Sequence, residues 1–112
     1  MDFDLVIANG TIVDGTGQPR FRGDLGITDG RITAIARGQQ LDGRQTIDAT
    51  GLVVAPGFID LHSHSDWIVP LADHDEILAP FVLQGITTIV GGNCGFSPAP
   101  ITDQSIPLLD SF

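Results

Sequence analysis

Apolar positions fall in two regimes along this chain. From Asp4 to about Thr50 they come as short runs punctuated by glycine: Leu5–Ala8 runs into Asn9-Gly10, and Thr11–Val13 into Asp14-Gly15. Asp24–Thr28 and Arg31–Ala36 flank Asp29-Gly30, a two-residue hairpin signal whose central positions tolerate positive φ. Ile32, Ala34 and Ala36 alternate with Arg31, Thr33 and Ile35, imperfectly, in the period of a strand. Thr46–Ala49 and Leu52–Ala55 are two further short strands split by Gly51. The region reads as a small antiparallel β unit without helix.

After Pro56-Gly57 the pattern changes. Polar turns become rarer, and the strands become apolar on both faces, as in a parallel sheet covered by helices. A domain boundary is therefore expected near Ala55–Gly57, dividing residues 1–56 from 57–112. Phe58–His62 opens a new strand. Asp73–Glu76 is a polar cluster suited to a helix start, and Ile77–Gln84 carries apolar residues at helical spacing before Gly85, a C′ residue. Pro80 inside that window moves the expected regular start of the helix toward itself. Ile86–Val90 is β-branched throughout and forms the next strand. Strand, helix and strand in this order make a βαβ unit with parallel strands. Phe96–Phe112 holds three of the seven prolines, so it reads as a loop that turns helical near its end.

Charge narrows the function classes. Fourteen acids stand against five arginines, with no lysine, for a net charge of −9. Such a surface repels phosphate backbones and anionic bilayers, so neither nucleic acid nor membrane is an expected partner. No apolar stretch approaches a membrane span, and Met1-Asp-Phe-Asp lacks the basic start of an export signal. The single cysteine, Cys94, cannot close an internal disulfide and fits a reducing compartment. A cytoplasmic location is expected.

The candidate chemistry lies at the ends of the two apolar strands. In an extended strand from Phe58, one face carries Phe58, Asp60, His62 and His64, so two imidazoles point the same way. Gly92-Asn-Cys-Gly95 ends the second strand and offers a sulfur at the matching height, with glycines that let the backbone turn sharply. Two imidazoles and a thiolate at the carboxyl ends of parallel strands suit zinc. The competing readings are histidines incidental to a small β-rich binding module, and a cysteine nucleophile with a histidine base. Asp60 on that face needs a hydrogen-bonding partner. Asp66 is open between a carboxylate that orients a histidine and a helix-cap or loop aspartate. His74, among Asp73, Asp75 and Glu76, reads as solvated.

These residues resemble a family. Pro56-Gly-Phe-Ile-Asp-x-His-x-His64, preceded by Ala8-Asn-Gly-Thr-Ile-Val-Asp14, resembles the N-terminus of the amidohydrolase superfamily. Gln84-Gly-Ile-Thr-Thr-Ile-Val-Gly-Gly-Asn-Cys-Gly-Phe-Ser-Pro-Ala-Pro100 resembles its narrower D-aminoacylase group, the N-acyl-D-amino-acid deacylases. The resemblance implies an α/β fold, a (β/α)8 barrel with a small β-sandwich. Residues 1–56 would be the N-terminal sandwich portion, and 57–112 the first βαβ unit of the barrel. It implies His62 and His64 as a metal pair on the first barrel strand and Cys94 as the ligand after the second. One tight Zn2+ is expected, with a second, weaker site as the alternative. The implied reaction is hydrolysis of the amide of a small N-acyl amino acid, in which zinc activates water and polarises the carbonyl while a carboxylate moves the proton. A cyclic-amide hydrolase related to dihydropyrimidinases is the neighbouring alternative. The other ligands and the catalytic aspartate have no match in this sequence, so no catalytic residue is assigned. The chain is expected to be an inert fragment by itself, one that self-associates or needs a complementary chain.

Overall fold

The computed structural model describes residues 3–100 and 102–104. The chain divides into two compact units, Met1–Pro56 and Gly57–Phe112. The expected loop-to-helix turn at the far C-terminus lies outside the described residues.

The first unit is one five-stranded sheet. Its strands are β1 (Phe3–Ile12), β2 (Phe21–Thr28), β3 (Arg31–Arg37), β4 (Gly43–Asp48) and β5 (Val53–Val54). They lie in the order β3-β2-β1-β4, with β5 also on β1. The Asp29-Gly30 hairpin forms as the sequence implies. Both residues take left-handed φ (51° and 70°), and Thr28 pairs with Arg31 across the turn.

Two expectations need correction. Leu5–Ala8 and Thr11–Val13 are not separate strands. The first run and most of the second join in the ten-residue β1, and Asn9 forms a bulge at φ 62°, where the register with β2 shifts between Ile7 and Gly10. The bulge lifts the Asn9 N–H off the ladder, and Asp24 Oδ1 accepts it at 2.8 Å. Asp24 is almost wholly buried, and its Oδ2 accepts the Leu41 N–H at 3.0 Å, so both oxygens are satisfied by backbone. The sheet is also mixed rather than antiparallel, because β4 and β5 run parallel to β1. Glycine spacing reports where strands break but not which neighbour a returning strand joins. Residues 38–42 carry the chain back beside β1 instead of reversing it in a hairpin.

The apolar core lies in this sheet: Val6, Ile12, Leu25, Ala36 and Ala49 are the buried hydrophobic residues among those described.

The second unit is the expected βαβ. β6 (Phe58–Asp60) and β7 (Ile86–Ile89) pair in parallel, with α1 (His74–Leu83) between them in sequence and packed against β7. The helix begins at His74, earlier than Pro80 suggested. Asp75 and Glu76 in its first turn complement the helix dipole. Pro80 stays inside the helix, where its missing N–H leaves the Glu76 carbonyl without its i+4 donor. Gly85 ends it at φ 83°, donating its N–H to Val82 O at 2.9 Å. Among the described residues no helix is long and apolar enough to cross a membrane.

Candidate metal centre

β6 stops at Asp60, two residues before the first histidine, so His62 and His64 do not lie on the strand as expected. The cause is local. Asp60 Oδ1 accepts the His62 N–H at 3.1 Å and bends the chain out of the sheet. The partner that Asp60 needed is thus the backbone two residues on. Ser63 continues the turn, its Oγ accepting the Ser65 N–H at 3.0 Å and lying 2.6 Å from Ser65 Oγ. The two imidazoles nevertheless stay together, their centroids 6.1 Å apart and nearly perpendicular.

β7 delivers the sulfur. The Val90 N–H donates to Asp60 O at 2.9 Å, continuing the β6–β7 pairing by one residue, and Gly91-Gly92 then turns the chain. Gly92, Cys94 and Gly95 all take positive φ (76°, 59° and 69°). Cys94 Sγ stands 3.3 Å from His62 Nε2. His62, His64 and Cys94 each offer one donor atom, all within 4.8 Å of one another, and all three residues are exposed. Donors on a tetrahedral zinc lie roughly 3.3–3.6 Å apart, given metal–ligand lengths of about 2.0–2.3 Å. The Cys94–His62 pair at 3.3 Å already has that spacing, and the wider separations, within 4.8 Å, would have to close by about an ångström on binding; the donor types fit such an ion.

The other candidates fall elsewhere. Asp66 Oδ2 accepts the Gly92 N–H at 2.9 Å, so the carboxylate reaches the cysteine turn, and Asp66 lies within the short 3-10 helix Ser65–Trp67 rather than at its N-cap, His64. His74 is at the start of α1, with Nδ1 2.7 Å from Leu71 O and Nε2 3.1 Å from Asp75 Oδ1. It is half-exposed and locally bonded rather than simply solvated.

Sequence reasoning missed two neighbours. Phe96 stacks on Trp67 (centroids 4.6 Å, 27°) and presents an edge contact to His64 at 6.2 Å. Asn93 donates to Ser63 O and Val90 O. Only the position of Asn93, between a glycine and the cysteine, hinted at these contacts.

Residues 45–107 match the amidohydrolase family. The chain belongs to that family. Within it, the chain is 49% identical over 104 residues to an N-acyl-D-aspartate deacylase of Alcaligenes xylosoxydans xylosoxydans, covering 93% of this chain and 20% of the relative. Among solved structures, an N-acyl-D-glutamate deacylase from Bordetella bronchiseptica, complexed with zinc and a phosphonate inhibitor, superposes with a TM-score of 0.76 at 48% identity. That match covers 89% of this chain and 20% of the other. A D-aminoacylase structure concerned with a binuclear metal centre gives 0.74 at 40% identity, covering 88% and 20%. The chain thus spans about a fifth of the length of the relatives it matches.

Proposed function

We propose that this chain forms the first metal-holding part of a zinc-dependent amidohydrolase that cleaves the amide bond of N-acyl-D-amino acids. The observation that carries the reading is the convergence of His62, His64 and Cys94 within 4.8 Å, just past the ends of two parallel strands. Likeness to deacylases of N-acyl-D-aspartate and N-acyl-D-glutamate supports the substrate class.

In this reading residues 57–112 are the first βαβ unit of a (β/α)8 barrel, and 1–56 are part of the accompanying β-sandwich. A barrel of this kind runs to roughly 250 residues, with its chemistry at the carboxyl ends of the strands. The imidazoles of His62 and His64 and the sulfur of Cys94 would hold the ion and transfer no proton themselves. Zinc, when bound, supplies Lewis acidity toward water and the scissile carbonyl. The acid–base carboxylate and the remaining ligands come from other strands of the barrel, so the 112 residues alone are inert. One tight zinc is the proposed stoichiometry, in a cytoplasmic protein acting on a small molecule.

The test is zinc content and hydrolysis of N-acyl-D-amino acids by the intact protein carrying this sequence, with Cys94→Ala beside it. The variant is expected to lose most of its zinc and most of its activity. Full metal occupancy and full turnover in Cys94→Ala would sink the ligand assignment.

A further inference from the structure

We propose that Asn93 is a positioning residue for the metal centre: with Asp66, it locks the cysteine turn onto the histidine turn, so the three donors are assembled before the metal arrives. The inference rests on the metal reading above.

The side-chain amide of Asn93 makes both links with one group. Its Nδ2 donates to Ser63 O at 3.1 Å and to Val90 O at 2.7 Å. Ser63 lies between the two histidines, and Val90 follows the last residue of β7. Both partners are carbonyl oxygens, so only the NH2 end of the amide can face them. One group therefore ties two turns that are 30 residues apart in sequence.

Asp66 holds the same turn through its backbone. Its Oδ2 takes the Gly92 N–H at 2.9 Å, and the backbone at Gly91 lies so close that a Cβ there would be 2.6 Å from Asp66 Cβ. Residues 91, 92 and 93 are thus fixed in succession, and Cys94 follows directly. Cys94 holds a left-handed backbone (φ 59°, ψ 19°), a conformation that residues with a Cβ keep only where their surroundings impose it.

Neither Asn93 nor Asp66 belongs to the donor cluster. A thiol on a glycine-flanked loop would otherwise sample many positions, and the metal would have to order it. Ordering the turn beforehand removes that cost from metal binding.

The test is a titration of the intact protein with Co2+, followed through the thiolate-to-cobalt charge-transfer band, in wild type, Asn93→Ala and Asn93→Ser. Asn93→Ala is expected to weaken cobalt affinity about 10- to 100-fold and to dim or shift the band at saturation, with unchanged circular dichroism. Asn93→Ser keeps one donor, is the milder change to the fold, and is expected to fall between. Wild-type affinity and an unaltered band in both variants, even with a lowered melting temperature, would mean that Asn93 serves stability alone, and the proposal would fall. A wild-type protein that binds cobalt without any thiolate band would overturn the metal reading itself and this inference with it.

Discussion

Asp48 is tuned by hydrogen bonds without being buried. Its carboxyl is held below the usual carboxylate range, chiefly by the Thr50 hydroxyl at 2.7 Å, then by the Asn9 amide at 3.0 Å and the Thr50 N–H at 3.1 Å. A folded value below the unfolded one gives stability that is complete above the unfolded carboxylate pKa, about 3.9, and is lost as pH falls through the lower folded value. Thermal stability should therefore drop below about pH 4, and Asp48→Asn should flatten that acid limb. Superimposable acid limbs for the two proteins would contradict the linkage. At this scale His62, His64 and Cys94 stood out in the sequence as candidate donors, since their chemistry is intrinsic to the residue type. The hydrogen-bond partners of Asp66 and Asn93 were not legible there. A carboxylate or an amide can bond anything in reach, and reach is set by a turn formed 26 to 30 residues away.

Among the elements, turn chemistry proved readable and pairing did not. Asp29-Gly30 announced the β2–β3 hairpin because two adjacent left-handed residues are affordable only with such side chains. Gly30→Ala, at φ 70°, should cost about 1 kcal/mol in urea unfolding, with the transition otherwise unchanged. An unaltered midpoint would mean that the turn relaxes freely. Asn9-Gly10 carries the same kind of dipeptide yet forms a bulge inside β1, because Asp24, 15 residues on, supplies the acceptor that the displaced N–H requires. The histidine segment shows the same contrast. Its alternation suggests a strand through His64, but the Asp60 carboxylate captures the His62 N–H and ends the strand first.

For the molecule as a whole, burial is uneven. β1 is paired on both sides and contributes Val6 and Ile12 to the core, whereas Phe58 and Ile59 on the two-stranded β6–β7 sheet are 66% and 60% exposed. Amide exchange should be slowest in β1 and β2 and markedly faster in β6 and β7, since local opening is easier where little apolar surface is buried. Equal protection across both sheets would refute this ranking. The exposed apolar residues of the second unit also lead to an expectation of self-association by the isolated 112-residue chain, or capture of a complementary one. A monodisperse monomer by light scattering at high concentration would count against it. The sequence by itself determined the division near Pro56, the strand–helix–strand order of the second unit and the donor types of the candidate centre. These follow from residue chemistry and from periodicities that need no distant partner. Only the tertiary structure decided the parallel return of β4 and β5 to β1, the bulge at Asn9 and the hydrogen bonds of Asp66 and Asn93 beside Cys94. Each depends on which backbone group a remote side chain or strand meets, and local sequence does not encode that meeting.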